Sequence, residues 1–460
     1  MELDPVLLSR LQFAFVIAFH ILLPAFTVGL ASFIVLLEGL HVVGRDPLYL
    51  RLSVFWTHIF AVSFGMGVVS GIVMPFQFGT NWSRYTDATG NVLGPLFAYE
   101  GLVAFFLEAG FLGILLFGRK RVPPWAHFFS AVMVAAGTLF SSFWILAANS
   151  WMQTPAGYEV VDGRFVPASW LAVIFNPSFP YRLVHTVTGF YLTTAFAVLG
   201  VTAWHLKRGS HVAESRAVMR MTVTFIAIFV PIQIVAGDLH GINTLHHQPV
   251  KLAAMEGLWQ TQARAPAVLF ALPDAHGERN RAEIAIPTLA SIYLGHSPDA
   301  VIQGLKEAPR ADRPPVAPVF FAFRIMVGIG LLMLALALWG LWLRWRGRLE
   351  TTRAFHSACV AMLPAGFVAV LAGWTVTEVG RQPWVVYGLM RTRDAVSPSL
   401  TGADVLLSIA LYVVVYVVVF GAGIFYMVRL ARAGPPAHVD LREPKLGERP
   451  ARPLSGAEIA

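Results

Sequence analysis

Cysteine is nearly absent from this 460-residue chain: Cys359 is the only one, and it lies inside an apolar run. A single thiol cannot form an intrachain disulfide, build a zinc site from several thiolates or supply the CxxCH motif that attaches a haem covalently. Any haem would therefore have to be held non-covalently.

Charged residues are scarce as well, at 13% of the chain against 56% hydrophobic residues, and the mean hydropathy is +0.64. This is far more apolar surface than one soluble core needs, so the composition predicts a polytopic membrane protein. The net charge of +8 does not indicate a nucleic acid partner, because the basic residues lie in short loops between apolar runs. Residues 1–5 lack the basic segment of a signal peptide, and the apolar run after them is too long for one.

Nine apolar runs are long enough to cross a membrane, which takes about 20 residues of helix. They predict nine transmembrane helices, at residues 12–40, 52–79, 94–118, 125–149, 182–205, 217–240, 318–345, 354–380 and 404–430.

The basic residues predict how these helices are oriented. The loops after helices one, three, five and seven carry 12 of them: Arg45, Arg51, Arg119, Lys120, Arg121, Lys207, Arg208, Arg216, Arg344, Arg346, Arg348 and Arg353. The N-terminus and the loops after helices two, four and eight carry 6: Arg10, Arg84, Arg164, Arg381, Arg391 and Arg393. Because basic loops stay in the cytoplasm, the N-terminus is predicted outside and the C-terminus inside.

This topology divides the chain into four segments. Residues 1–240 hold helices one to six, and 241–317 form a long polar loop outside the membrane. Residues 318–430 hold helices seven to nine. Residues 431–460 are rich in proline and charge, which predicts a disordered cytoplasmic tail.

The end of the eighth apolar run is unusually polar for a membrane helix. It reads Thr377-Glu378-Val379-Gly380-Arg381-Gln382-Pro383-Trp384. A carboxylate at such a position loses hydration, so Glu378 is predicted to have a charged, metal or proton-carrying partner. Pro383 ends the helix and keeps the polar cluster at the membrane boundary.

Several other polar residues fall at a similar depth when about 1.5 Å of rise is counted per residue. The residues that converge on this outer level are His20, Glu100, His185, Met326, Trp374 and Glu378. Glu108 lies two turns deeper than Glu100 on roughly the same helix face. Histidine, methionine and carboxylate all ligate haem iron. A lone methionine or histidine in an apolar helix is more often a packing residue, so the spacing alone does not identify a haem protein.

Five further segments make the chain recognisable. They are Glu100-Gly101-Leu102 through Glu108, Trp144 through Asn149 with Trp151-Met152-Gln153-Thr154-Pro155, Tyr181-Arg182-Leu183-Val184-His185-Thr186, Lys251-Leu252-Ala253-Ala254-Met255-Glu256, and Phe323-Arg324-Ile325-Met326-Val327-Gly328. Together with the stretch that begins at Thr377, they resemble subunit I of cytochrome bd-type quinol oxidases. The resemblance covers nearly the whole chain.

The resemblance implies three haems and their ligands. His185 and Met326 match the axial ligands of a low-spin haem b, with Arg324 as a propionate or redox-tuning partner. His20 and Glu378 match the ligands of two high-spin haems, one haem b and one haem d, or a second haem b in its place. Which residue serves which high-spin haem stays open.

Other positions match residues that serve proton and quinol chemistry in this family. Glu100 and Glu108 match carboxylates of the proton-uptake route. Trp374 matches a tryptophan among the haems, and Arg381 matches a counter-charge for the propionates. The quinol-binding residues of the outer loop, called the Q-loop, are matched by Lys251 and Glu256.

The loop departs from some relatives because it lacks their long C-terminal insertion, which places the chain with the short-loop, cyanide-insensitive-oxidase-like branch. The His246-His247-Gln248-Pro249 stretch matches no family pattern and is interpreted as a solvated turn. Short-loop relatives include enzymes with haem b where others have haem d.

The resemblance implies an all-α membrane fold with two four-helix bundles, helices one to four and five to eight, and a peripheral ninth helix. It implies a terminal oxidase of the bacterial inner membrane that oxidises quinol outside, reduces O2 to water and generates a proton-motive force without pumping. The expected partners are subunit II, small single-helix subunits, quinol, O2 and lipid. The alternatives are a haem-b-only quinol oxidase, an electron-transfer subunit that does not bind oxygen, and a transporter.

Overall fold

The computed structural model describes residues 4–439, so most of the predicted tail at 431–460 lies outside the described residues. Within the described part, nine helices are long and apolar enough to span a membrane, as predicted. In chain order they are Pro5–Gly44, Pro47–Thr80, Ser83–Phe117, Pro124–Gln153, Phe179–Arg208, Val212–His247, Val316–Trp345, Arg353–Val379 and Gly402–Ala433. We refer to them as helices one to nine.

Local capping signals set where several helices begin. Helix one follows Asp4, whose carboxylate accepts from the amide of Val6, and helix two follows Asp46 in the same way. Both helices start with proline, whose missing N–H costs nothing in the first turn. Helix nine begins with a capping box formed by Thr401 and Asp404. These caps lie outside the apolar runs, so the helices are longer than the runs that predicted them.

The nine helices pack as the resemblance implied. Helices one to four form one bundle around an apolar core, and helices five to eight form a second bundle with its own core. Helices one and five pack together at the centre, while helix nine lies on helices one and two.

Two membrane helices depart from regular α geometry. Helix three contains a π-helical segment, Glu100–Phe105, between the α-helical segments Ser83–Tyr99 and Phe106–Phe117. Helix eight was predicted as one run but is divided into Arg353–Ala361 and Ala365–Val379, with Pro364 before the second part. Proline cannot donate the hydrogen bond that would continue the first part.

The segments between helices fold into small elements, most of them at the end where Glu378 lies. We call this the Glu378 end, and the opposite end, with the loops after helices one, three, five and seven, the basic end. The four antiparallel strand pairs are Tyr158–Val161 with Arg164–Pro167, Gln262–Ala263 with Val301–Ile302, Ala267–Asp274 with Arg279–Ile286, and Trp384–Val386 with Met390–Arg391. The short helices are Trp170–Ile174, Pro249–Glu256, Leu289–Gly295, Leu305–Glu307, Arg310–Asp312 and Thr392–Asp394.

Candidate functional site

Glu378 has the charged partner that its position in the membrane predicted. Arg381, one turn later on the chain, forms an ion pair with its Oε2 atom. Its Oε1 atom accepts from Asn149 Nδ2 at 3.0 Å and from Gln153 Nε2 at 3.3 Å. A carboxylate offers about four acceptor positions, so these three bonds leave room for one more ligand.

Two arginines beside this carboxylate have donors that no protein group accepts. Arg381 is 5% exposed, and its Nε and Nη1 atoms are buried without a partner among the described residues. Arg182 donates to Asn149 Oδ1, yet its Nε atom is also buried and unpartnered. A buried donor without an acceptor is costly, so these groups point to an anionic ligand between them.

Lys251 is connected to Glu378 through the amide of Gln153. Its Nζ atom donates to Gln153 Oε1 at 2.6 Å and to Gln248 Oε1 at 2.5 Å. Gly380 leaves space for the lysine side chain, because an added Cβ would lie 2.9 Å from Lys251 Cγ. Burial, together with the positive charge of Arg182, lowers the pKa of Lys251 well below its usual range.

Hydrogen bonds determine which nitrogen of His20 is free. Ser70 donates its hydroxyl hydrogen to the carbonyl oxygens of Met66 and Gly67. Its Oγ atom lies 3.0 Å from His20 Nδ1 and can therefore only accept from that nitrogen. With the proton on Nδ1, the Nε2 lone pair is available to a metal.

The candidate ligands on helices one, five and seven are each faced by a glycine. An added Cβ would lie 3.2 Å from His20 Cε1 at Gly71, 3.1 Å from His185 Cε1 at Gly237 and 3.0 Å from Met326 Sδ at Gly373. These are tighter than ordinary contacts, so the glycines give the three ligands their clearance. The three side chains are thus fitted closely against neighbouring helices.

A side-chain amide contacts His185. Gln233 Nε2 lies 3.2 Å from His185 Nδ1 and 3.0 Å from its carbonyl oxygen, while Gln233 Oε1 is buried without a partner. The amide nitrogen donates to that carbonyl oxygen, so Gln233 fixes the backbone and the ring of His185 in position.

Glu100 and Glu108 both face helix four. Ser141 Oγ donates to Glu100 Oε1 at 2.9 Å, and the helix approaches Glu108 so closely that a Cβ on Gly137 would lie 2.5 Å from its Cγ atom. Residues eight apart on an α-helix are about 80° out of register. Glu100 and Glu108 are connected by a π-helical segment, which rotates less per residue than an α-helix and so brings the two side chains toward one face.

One stripe of helix four therefore contacts three of the four candidate carboxylates, Glu100, Glu108 and Glu378. Its members, spaced by multiples of four residues, are Gly137, Ser141, Asn149 and Gln153. The stripe spans about 24 Å at 1.5 Å per residue. It passes from Glu108, by way of Glu100, to Glu378, with Ile145 as the one apolar step.

The two candidate quinol residues point in different directions. Lys251 and Glu256 lie five residues apart on Pro249–Glu256, which separates their side chains by about 140° around the helix. Glu256 interacts with the hydroxyl of Tyr293, and its Oε1 atom is buried without a partner. Burial raises the pKa of Glu256, while the hydrogen bond from Tyr293 and the charge of Arg324 oppose this rise.

Arg324 directs most of its donors to the outer loop. Its Nε and Nη2 atoms donate to Val268 O at 3.0 and 2.5 Å, and Nη2 also donates to Glu256 O at 3.2 Å. Its Nη1 atom donates to Met255 O at 2.5 Å and to Phe320 O at 3.1 Å. These bonds match the five N–H groups of a guanidinium, so no donor is left for a propionate.

Sequence reasoning missed several members of the site. Arg182, Asn149 and Gln153 were visible within the recognised segments but received no role. Gln248 was assigned to a solvated turn, which is wrong, because it is 4% exposed and bonds to Lys251. Its neighbours His246 and His247 are exposed at the end of helix six. Trp374 is half-buried on helix eight.

Comparisons with known proteins agree with this architecture. The family model described as cytochrome bd terminal oxidase subunit I matches residues 8–435. The chain is 35% identical over 443 residues to the cytochrome bd ubiquinol oxidase subunit 1 of Bacillus subtilis (strain 168), covering 94% of both chains. It is 34% identical over 504 residues to the cytochrome bd-II ubiquinol oxidase subunit 1 of Escherichia coli (strain K12), covering 94% of this chain and 98% of the relative. The solved structure of bd oxidase from Geobacillus thermodenitrificans is similar with a TM-score of 0.87 and 31% identity, covering 94% of this chain and 100% of that one.

Proposed function

This chain belongs to the cytochrome bd terminal oxidase subunit I family, and from that premise we propose that it oxidises quinol and delivers the electrons to O2. It works in the bacterial inner membrane together with subunit II and, in some assemblies, small single-helix subunits. The observation that carries the proposal is the polar network that joins Glu378, Arg381 and Lys251 to Asn149 and Gln153 of the helix-four stripe. Quinol-driven oxygen uptake by the purified two-subunit complex tests it, and a complex that oxidises no quinol would reject it.

The buried polar groups fit haem as the cofactor. Among the described residues, Arg381 and Arg182 have three nitrogen atoms without an acceptor beside a carboxylate, which suits the propionates of a haem. His20 is held so that Nε2 can ligate iron, and Gly237 and Gly373 leave room for the ring of His185 and the sulfur of Met326. Haem iron, when bound, supplies one-electron redox chemistry and, with a single protein ligand, an open position for oxygen.

The residues divide into three haem-binding groups. His185 and Met326 are the ligand pair of a low-spin haem b. His20 and Glu378 are the single ligands of a high-spin haem b and of haem d, or a second haem b in its place. Trp374, half-buried one turn before Glu378, lies where it can pack beside them.

We propose a different role for Arg324 from the propionate or redox-tuning one that the resemblance implied. Four of its five hydrogen bonds tie the loop backbone at residues 255, 256 and 268 to helix seven, two residues before Met326. Its proposed role is therefore to position the outer loop relative to Met326.

The quinol site is proposed around Glu256. Quinol oxidation releases two protons, and a carboxylate with one oxygen buried and unpartnered can accept one of them. The raised pKa of this group brings it nearer to the pH at which it must exchange protons. Lys251 faces the other way and, through Gln153, holds the polar network at Glu378.

Replacing Tyr293 with phenylalanine is expected to move the acidic limb of quinol oxidation to higher pH. The hydroxyl lowers the pKa of Glu256, so its loss raises that pKa further, and the ionised base is then lost at a higher pH. The measurement is kcat/KM for quinol against pH. Tyr387→Phe, at a loop tyrosine with no role in this site, is the matched control. An unmoved limb in Tyr293→Phe would exclude Glu256 as the proton acceptor.

Glu100 and Glu108 are proposed as the route by which protons reach the oxygen site. Both side chains, which belong to helix three, contact the helix-four stripe. Among residues 4–439, no donor hydrogen-bonds the carboxylate of Glu108. Taking protons from the basic end and releasing those of quinol at the Glu378 end generates a proton-motive force without pumping. The Q-loop and N-terminus are then outside, and the C-terminus is in the cytoplasm.

Glu108→Gln is expected to reduce oxygen consumption by about 10²-fold or more, the usual contribution of a positioned acid or base. Quinol should still reduce the haems of the variant, because the change lies on the proton route alone. Stopped-flow reduction under nitrogen followed by mixing with oxygen separates the two steps. Normal oxygen consumption would remove Glu108 from the route.

A further inference from the structure

A second polar site lies at the basic end of helices one to four, away from every residue assigned above. A cavity of about 410 Å³ opens there. It is lined by Glu38, His41, Leu50, Arg119, Lys120, Arg121, Val122, Pro123, Pro124 and His127. None of these residues has been given a role above in quinol oxidation or proton transfer.

The one carboxylate of the cavity is fully neutralised. Glu38 is 2% exposed and accepts from Arg119 Nη2 at 2.5 Å and from the hydroxyl of Ser53. His127 Nδ1 lies 3.2 Å from its other oxygen. Glu38 therefore cannot serve as the counter-charge for further cations.

His127 forms part of the wall. Its Nε2 atom lies 3.1 Å from the carbonyl oxygen of Leu115, and its Nδ1 atom lies 3.2 Å from the carboxylate of Glu38. Both ring nitrogens therefore have partners within the wall.

Two further cations at the cavity have no counter-charge. Among residues 4–439, the side chains of Lys120 and Arg121 have no hydrogen bond or ion pair. With Arg119 and the carboxylate of Glu38, and without counting its two histidines, the lining carries a formal net charge of +2. Helix four begins at Pro124 beside them without a side-chain cap, and its positive dipole end adds to the potential.

The surroundings match the edge of a membrane. Phe117, Trp125 and Phe129 lie next to the lining residues in sequence and are 52%, 67% and 48% exposed. Tryptophan at this position is typical of the membrane–water interface. An occupant would thus meet cations in the cavity and apolar side chains beside it.

We propose that this cavity binds a phosphate group, carried by an anionic membrane lipid or by free phosphate. The unpaired Lys120 and Arg121 provide the donors, and the volume holds a phosphate with its glycerol. The site is independent of the redox function, because its residues lie at the opposite end of the helices from Glu378.

The test uses the purified two-subunit complex, stripped of lipid in detergent. Thermal stabilisation is titrated with dioleoylphosphatidylglycerol, with dioleoylphosphatidylcholine and with inorganic phosphate. The variant is Lys120→Ala with Arg121→Ala. The matched control is Arg348→Ala with Arg353→Ala, which removes two exposed arginines, one from the loop between helices seven and eight and one at the start of helix eight. An unchanged haem spectrum checks that each variant folds.

We expect the cavity variant to bind the anionic probe about 30-fold more weakly, since each juxtamembrane cation contributes about a factor of five. The control should stay close to wild type. Stabilisation by phosphatidylglycerol alone identifies a lipid as the source, and stabilisation by inorganic phosphate as well identifies free phosphate. Equal affinity of the cavity variant and wild type, or no preference for either anionic probe over phosphatidylcholine, would overturn the proposal.

Discussion

Glu378→Ala is expected to remove one high-spin haem and to lower quinol-driven oxygen consumption by more than about 100-fold, the upper end of what losing an outer-shell partner costs. The proposed reason is that Glu378 is the single protein ligand of that haem. Removing Glu378 also takes away the ion-pair partner of Arg381. Two other nitrogen atoms of that guanidinium already have no acceptor among the described residues. The low-spin haem should remain, because His185 and Met326 are untouched.

The measurement is pigment extraction and the reduced-minus-oxidised spectrum of the purified variant, with oxygen uptake alongside. Glu214→Ala serves as the matched control, because this carboxylate pairs with Arg51 at 2.6 Å near the basic end. It should keep all haems. Retained oxygen consumption in Glu378→Ala would show that the carboxylate is not a haem ligand.

His185→Ala is expected to have the reciprocal effect, with loss of the low-spin haem and of quinol oxidation but retention of the high-spin haems. The side chain is fitted between Gln233 and Gly237. Low-temperature spectra of the reduced complex measure the low-spin signal. Electron donation by a small artificial reductant then tests whether the oxygen site still works.

His205→Ala is the control on the same helix. His205 bonds to Ser210 and to Ala431 O at the basic end, so its loss should leave every haem in place. A full low-spin signal in His185→Ala would contradict the proposed ligand pair.

The number of membrane helices was predictable because hydropathy depends on composition averaged over a long window. The ends of the helices were less predictable from the sequence. Asp4 and Asp46 begin their helices outside the apolar runs, and helix six continues to His247, because capping and polar turns extend a helix beyond the membrane. The break before Pro364 was signalled by that proline but was hidden in an otherwise continuous apolar run.

The residue types of the site were predictable, whereas their connections were not. Gln153 and Gln248 join Lys251 to Glu378 by side-chain hydrogen bonds that depend on how three separate segments meet. The helix-four stripe did leave a signal, since Ser141, Asn149 and Gln153 recur at multiples of four residues in an apolar helix.

The contacts of Arg324 could not be deduced from the role that the resemblance implied for it. That role was a propionate or redox-tuning partner of the haem of Met326, which lies two residues later on the same helix. A helix rotates by about 200° over two residues, so the two side chains leave opposite faces. Arg324 consequently meets the loop that folds back over helix seven, at Met255 and Val268.

The proposed function requires that this chain hold an oxygen-binding haem. Its most direct test is a reduced-minus-oxidised spectrum of the purified two-subunit complex, recorded before and after addition of carbon monoxide and followed by pigment extraction. We expect low-spin haem b signals that ignore carbon monoxide and a high-spin signal, from haem d or a second haem b, that shifts when it is added. Haem signals that are all unaffected by carbon monoxide would contradict the account and leave only an electron-transfer subunit.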